Sequence, residues 1–321
     1  MSEHLAPSAQ WGEAAGPGAP RPGTDAGGGK RGGEGESASD RQRGGEDQLD
    51  EDQLDDGQLA GQREVEEELT PERALQRTVE EGQRRTDRAL VPMIATGIVG
   101  GIDVGTGVFA MLVVEAATGS SLLGGLAFSI GFVALLLARS ELFTENFLVP
   151  VVAMAARRST VLDVLRLWGV AAAANLVGGW VLMLLVITGF PSLQHKAVES
   201  GTLYAHLGYG WRSFALGLLG GLVITLMTWM QHSTDNLVGK LVPAVTTAFL
   251  LGAAHLNHAI VASLVMFGAL QTGHAPFGYL RWFTELLFAA AANIVGGVGL
   301  VTVLRVLQVP RRLATERGLS R

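Results

Sequence analysis

Ala138-Arg139-Ser140-Glu141-Leu142-Phe143-Thr144-Glu145-Asn146 interrupts an apolar run that otherwise extends from about 122 to 156. Residues 122–137 carry no charge, and apolar character resumes at Phe147-Leu148-Val149-Pro150. A helix facing lipid cannot carry that many polar groups, because hydrocarbon offers them no partner. Polar or non-helical backbone at membrane depth is tolerated only where it is buried in protein or lines a cavity. The stretch therefore predicts a helix broken around Leu142 to Asn146. A counterpart lies further on, where an apolar run ends at Gly252-Ala253-Ala254-His255-Leu256-Asn257-His258 before Ala259-Ile260-Val261-Ala262-Ser263. Interrupted helices at corresponding places in two halves of a chain mark a substrate site.

Six apolar segments surround these two breaks, near 89–114, 122–156, 163–188, 213–231, 241–268 and 283–307. About 20 helical residues cross a hydrocarbon core of about 30 Å. Two signatures recur at almost constant offset. Gly100-Gly101 is matched by Gly220-Gly221, an offset of 120, and Asn175-Leu176-Val177-Gly178-Gly179 by Asn293-Ile294-Val295-Gly296-Gly297, an offset of 118. Each repeat is then three spans. An odd number of spans reverses orientation, so the expected fold is an all-α integral membrane protein of six transmembrane helices. They form two inverted three-helix repeats with helices two and five broken. Glycine pairs let helices approach closely, and an adjacent Asn bonds across the contact, so packing accounts for both motifs before any pore role.

Composition divides the chain. Over 321 residues it is 48% hydrophobic and 17% charged with a net charge of −6, and its mean hydropathy is +0.31. Residues 1–88 hold 21 acids and 11 bases, a net of −10, and residues 89–321 hold 9 acids and 13 bases, a net of +4. Positions 1–63 are expected to be a disordered Gly/Pro-rich and acidic tail, since they have too little apolar content to repay ordering. The tail includes the repeat Glu46-Asp47-Gln48-Leu49-Asp50, Glu51-Asp52-Gln53-Leu54-Asp55, read as a solvated linker or as a docking segment for a basic partner. Thr70-Pro71 predicts an N-cap and first turn for a pre-membrane helix over 64–88. The channel domain is expected over 89–307, with a basic C-terminus at 308–321.

Arg84, Arg85, Arg88, Arg157, Arg158, Arg166, Lys240, Arg305, Arg311, Arg312 and Arg317 fall on one side of the six spans, against Lys196, Arg212 and Arg281 on the other. The bias places both termini in the cytoplasm and the protein in the plasma membrane. No apolar leader of signal-peptide length precedes the first span. Without cysteine, the chain excludes disulfide scaffolds, zinc ribbons, iron–sulfur clusters and thiol nucleophiles. His255 and His258 stand three apart, but a metal site needs three or four ligands and no carboxylate converges on them. No His-Glu-x-x-His or Gly-x-Ser-x-Gly is present, so no hydrolase chemistry is expected. Glu141 and Glu145 are read as capping exposed amides of the broken helix or pairing with Arg139, and Glu285 as lying beside Arg281.

These residues resemble the formate/nitrite transporter family from about Leu90 to Leu307. Phe128-Ser129-Ile130-Gly131 precedes Leu142-Phe143-Thr144 at the family's spacing of sixteen residues between Phe and Thr. The family's central histidine falls on His258, with a lysine eighteen residues earlier at Lys240, and the paired Asn-x-x-Gly-Gly helices match. The resemblance implies an aquaporin-like protomer, one pore each in a homopentamer of the bacterial inner membrane. It implies conduction of small monovalent weak-acid anions such as formate or nitrite together with a proton, and no cofactor, enzymatic step or nucleic acid. It implies a pore narrowed by Phe128, Phe132, Leu142, Phe143 and Leu251, with Thr144 facing His258 between these rings and Asn257, Asn175, Asn293 and Lys240 as further pore residues. Two positions depart from the family: Asn257 stands where Glu is common, and Ala262 where Asn is. A neutral-solute channel for water, glycerol or ammonia on the same fold is the alternative, and a membrane scaffold whose acidic tail is the working part is another.

An anion entering a low-dielectric constriction loses several kcal/mol of solvation, and the neutral acid far less. Histidine, with a reference pKa of ~6.5, is the natural donor near neutral pH. His258 is therefore expected to donate to the anion, so that it crosses the apolar rings as the neutral acid.

Overall fold

The computed structural model describes residues 70–318. The tail through 63, its acidic repeat, the first residues of the 64–88 helix and residues 319–321 lie outside the described residues. The described chain is helical throughout. Helix α1 (Pro71–Thr86) begins on the Thr70 side chain, which accepts from the Arg73 amide, with Pro71 in its first turn. Three apolar helices follow: α2 (Leu90–Thr118), α3 (Ser121–Ala138) and, after a short α4 (Val149–Ala155), α5 (Val161–Gly189). Next come α6 (Gln194–Ala205), α7 (Trp211–His232), α8 (Leu237–Ala253), α9 (Ala259–Gln271) and α10 (Tyr279–Ile294). A π-helical stretch, Val295–Thr302, continues α10 into α11 (Val303–Gln308), and α12 (Pro310–Glu316) ends the described chain.

Among the described residues five stretches are long and apolar enough to cross a membrane: α2, α3, α5, α7 and the continuous Tyr279–Gln308. Residues 143–155, α8 and α9 are shorter apolar elements. Val91, Leu162 and Leu280 are 76%, 77% and 78% exposed, a display of large aliphatics that suits lipid. Between such helices lipid supplies no hydrophobic drive, so close packing and hydrogen bonds hold them together. The glycines show how. A Cβ at Gly101 would overlap the Asn175 carbonyl, and one at Gly221 would overlap the Asn293 carbonyl. Backbone thus lies on backbone in α2 against α5 and, equivalently, in α7 against α10.

Local chemistry sets the helix ends. Thr160 and Asp163 form a reciprocal capping box at the start of α5, Ser120 caps α3, and Asn236 caps α8. Helix α3 stops at Arg139, which adopts a left-handed conformation with φ of 53°. The chain then runs extended to Leu142 and makes a 3-10 turn over Phe143–Phe147 before α4. Helix α8 stops at Ala253, and α9 starts at Ala259 after a left-handed His255 with φ of 48°.

Two elements differ from the sequence reading. The segment between the third and fourth long helices, which lies outside the six apolar segments, contains α6, whose buried Ala197, Ser200, Gly201 and Tyr204 recur at three- and four-residue spacing. The last span is not uniformly α-helical. Thr302 donates to both the Phe147 carbonyl at 2.8 Å and the Gly297 carbonyl at 3.1 Å, a five-residue reach that suits the wider π turn, and three glycines here remove side-chain resistance to it.

A separate apolar cluster joins α1, α4 and α12 through Leu75, Val79, Leu148, Val149, Val152, Val309 and Leu313. It ties the first described helix to the element immediately following the 3-10 turn.

Candidate functional site

Two asparagines hold the two interruptions. Asn175 Oδ1 accepts from the Phe143 amide at 2.8 Å, and its Nδ2 donates to the carbonyls of Gly97 at 2.7 Å and Glu141 at 2.8 Å. Asn293 Oδ1 accepts from the Ala259 amide at 2.8 Å, and its Nδ2 donates to Gly217 at 2.8 Å and Asn257 at 2.9 Å. Both side chains are fully buried. Each spends both amide hydrogens on backbone, which leaves neither with a donor for an anion.

The two interruptions meet at a single polar contact. Thr144 Oγ1 and His258 Nε2 are 2.7 Å apart, and both residues are 0% exposed. His258 is also the N-cap of α9, its Nδ1 accepting from the Val261 amide at 3.2 Å. A nitrogen that accepts an N–H carries no hydrogen, so Nδ1 is the bare nitrogen and Nε2 bears the proton. Nε2–H therefore donates to Thr144, whose own hydroxyl hydrogen is left to point elsewhere. Protonating Nδ1 would eject the Val261 amide and place a cation at a helix N-terminus, where the dipole opposes it.

The apolar residues singled out by resemblance are all buried. Phe128, Leu142 and Leu251 are 0% exposed and Phe132 is 1%. The rings of Phe128 and Phe132 lie 5.6 Å apart, and Gly252 packs beside Phe128. Phe143 is engaged differently, edge-on to Phe147 at 5.0 Å and to Trp168 at 6.3 Å. The Trp168 indole N–H donates to the Asn146 carbonyl at 2.8 Å.

A cavity of about 880 Å³ opens on the α1 side of the 3-10 turn, lined by Arg85, Arg139, Glu141, Glu145, Asp235 and Lys240 among others. Lys240 sits here, 3.9 Å from Asp235, and forms no hydrogen bond or ion pair with Thr144 or His258. The acidic residues do not pair with Arg139. Glu141 pairs with Arg88 at 2.5 Å, and Arg85 lies 3.7 Å from Glu141 and 3.8 Å from Glu145 while donating to Asn146 Oδ1 at 3.0 Å. Burial opposes the Arg85 charge, but Glu141, Glu145 and Glu81 together hold its guanidinium above the usual range. Sequence placed Arg84, Arg85 and Arg88 as a membrane flank. Their reach over 53 and 61 residues to Glu141 and Asn146 has no local signature. Glu285 does bond Arg281, at 2.5 Å.

Residues 72–307 match the family model described as Formate/nitrite transporter. The chain belongs to the formate/nitrite transporter family. It is thus a multi-pass membrane protein of a transporter family rather than an enzyme family. It is 23% identical over 269 residues to the inner membrane protein YfdC of Escherichia coli (strain K12), covering 79% of this chain and 84% of that one. It is 23% identical over 248 residues to the formate channel BtFdhC of Bacillus thuringiensis, covering 72% and 92%. Among solved structures, an FNT family ion channel superposes with a TM-score of 0.65 at 18% identity, covering 73% of this chain and 98% of that one. A pentameric formate channel with formate bound superposes at 0.58 with 23% identity, covering 69% and 98%.

Within this family member, the two departures have definite surroundings. Asn257 donates through Nδ2 to Ser213 Oγ at 3.2 Å. Ala262 offers only its backbone, donating to the His258 carbonyl at 2.8 Å. The buried group next in sequence to His258 is thus a neutral amide.

Proposed function

We propose that this protein is a membrane channel for small monovalent anions of weak acids, formate and nitrite being the representative substrates. The observation that carries the reading is the Thr144–His258 contact at the meeting of two interrupted helices, amid buried phenylalanines and leucines. In this reading residues 121–155 and 237–271 act as broken spans two and five of two inverted three-span repeats. The aquaporin-like protomer occupies 89–307, and Asn175 and Asn293 are the repeat-related clamps of its breaks.

The mechanism follows from the hydrogen positions. Neutral His258 cannot give up Nε2–H as a proton without becoming an imidazolate, so it acts as a hydrogen-bond donor, in concert with Thr144. The Nε2–H of His258 polarises the Thr144 hydroxyl, whose free hydrogen donates to the solute and orients it between the rings. The proton that lets it pass the rings of Phe128, Phe132, Leu142, Phe143 and Leu251 as a neutral acid comes from solvent in the vestibule, where the anion's own basicity captures it. Asn257, being uncharged, adds no carboxylate to repel the anion. Lys240 contributes to vestibule charge and not to the central contact. The protomers assemble as a homopentamer in a bacterial inner membrane with both termini in the cytoplasm, so the α1 side is the cytosolic mouth. Residues 70–88 and 308–318 lie outside the lipid in this reading.

Proteoliposomes test this. Wild-type protein is expected to dissipate formate and nitrite gradients with accompanying proton movement. His258→Asn retains an N-cap acceptor and removes the Nε2–H, so it is expected to fold, assemble and lose flux. Glycerol-driven swelling with formate flux equal to empty vesicles would replace the anion reading with the neutral-solute one.

A further inference from the structure

Six cations line the vestibule on the α1 side: Arg77, Arg84, Arg85, Arg88, Arg139 and Lys240. Five are committed to acids. Arg77 and Lys240 share Asp235, Arg84 pairs with Glu81, Arg85 lies among Glu81, Glu141 and Glu145, and Arg88 holds Glu141. Among the described residues Arg139 makes no hydrogen bond or ion pair through its side chain, and it is exposed. It also lines a second hollow of about 560 Å³ with Arg84, Arg88 and Asp87, three guanidiniums against one carboxylate.

Its backbone sharpens the point. Arg139 occupies the left-handed cap position that ends α3, with φ of 53°, a conformation that glycine or asparagine adopts with least strain. A helix C-terminus gains from a cation anywhere in its last turn, so the dipole alone gives no reason to place that cation on the strained residue. An arginine held there, unpaired and lining both hollows, retains its full set of five N–H donors in a planar fork. That fork matches anions with two oxygens on one atom, the shape of formate and nitrite, better than it matches a spherical halide.

We infer that Arg139 is an anion-capture residue at the cytosolic mouth, assisted by the N–H groups that Arg84 and Arg88 leave unused, and that it takes small planar anions with two oxygens on one atom. The inference rests on the anion-channel reading for the identity of its ligand. Captured anions are concentrated outside the constriction, which raises entry from this side at low concentration and leaves passage through the centre untouched.

The test compares inverted and right-side-out membrane vesicles of wild type, Arg139→Gly, Arg139→Gln and Arg139→Lys at low ionic strength. With formate presented to the α1 face, Gly and Gln are expected to raise the half-saturating concentration about 3- to 10-fold, the loss of one charge-assisted contact, with maximal flux unchanged. Lys should fall between, keeping charge without the fork. Presented to the opposite face, all four should agree, and added salt should shrink the difference. Arg139→Gly should also melt at a higher temperature than wild type, which a purely structural arginine would not allow. A glycine variant indistinguishable from wild type at sub-saturating formate overturns the proposal. If wild-type vesicles carry neither formate nor nitrite, the channel reading fails on its own. Arg139 is then judged by ¹³C-formate line broadening with the purified full chain: broadening lost in Arg139→Gly sustains the capture site, and broadening retained overturns it.

Discussion

Asn175 and Asn293 make the same three kinds of hydrogen bond to backbone, each beside one of the two non-helical stretches. Each accepts one amide of the segment that restarts a helix, Phe143 or Ala259, and each donates to a carbonyl two residues earlier, Glu141 or Asn257. The third bond goes to a glycine of the neighbouring helix, Gly97 or Gly217. The pair places Thr144 and His258 by fixing the chain on either side of them. Asn175→Ala and Asn293→Ala would each remove three hydrogen bonds to buried backbone and leave groups of the non-helical stretch unpaired, at about 1–3 kcal/mol or more. The expected outcome is a lower melting temperature and lost flux in both. Asp at either position keeps the acceptor and loses the donors, so it should not rescue. Melting of purified protein alongside vesicle flux separates the clamp role from a solute-contact role, which would lose flux at unchanged stability.

Thr144 is judged by what its hydroxyl does. In Thr144→Ser the hydroxyl remains opposite His258 Nε2, and flux should stay near wild type. Thr144→Val is nearly isosteric, removes the acceptor of Nε2–H, and should cut flux about 3- to 10-fold, the worth of one hydrogen bond of about 0.5–1.5 kcal/mol. Formate flux at matched pentamer density is the measurement, and equal flux in Val and wild type would remove Thr144 from the pathway.

The end of helical structure near Arg139 and the burial of the polar stretch after it were legible because polarity inside an apolar run has few physical outlets. Glu141, Thr144, Glu145 and Asn146 could only be buried or line a cavity, and they are buried. The close approach of α2 to α5 and of α7 to α10 was legible for a similar reason, since Gly-Gly beside Asn states a close approach and a bond across it. The partners of Glu141 and Glu145 were not legible. Arg139 is nearest in sequence, but its left-handed cap takes it out of pairing, and Arg88 and Arg85 arrive from another helix. The protonated nitrogen of His258 was also out of reach, because it is decided by the Val261 amide of a helix that begins only after the break. Nor does Val295-Gly296-Gly297 announce a π turn, which ends where Thr302 reaches the Phe147 carbonyl.

Backbone contact at the glycines gives a contrast within one residue type. Gly221→Ala would drive a Cβ into the Asn293 carbonyl and displace α7 from the helix that carries the clamp. An overpacking cost of about 1–3 kcal/mol is expected, with reduced flux. Gly169 in α5 has nothing within 4 Å of a Cβ position, so Gly169→Ala should be neutral or roughly 0.5–1 kcal/mol more stable, as glycine in a helix interior gives way to alanine. Thermal melting of the two variants in the same detergent checks the ordering.

Glu81 makes the attachment of α1 sensitive to acid. Burial raises its pKa, but Arg85 at 2.7 Å, with Arg84 and His232, outweighs this and holds the carboxyl below its usual range. A carboxyl depressed in the folded state contributes stability that is present above its unfolded pKa of about 4.3 and is lost as pH falls through the lower folded value. Acidification through that window should therefore loosen the contact of α1 with the Arg85 cluster, and Arg85 also holds Asn146 beside Thr144. Hydrogen exchange of the α1 amides is expected to rise over that window in wild type. In Glu81→Gln exchange should already be raised at neutral pH, with a smaller further rise on acidification. Identical pH profiles in the two proteins would place the acid sensitivity elsewhere than in Glu81.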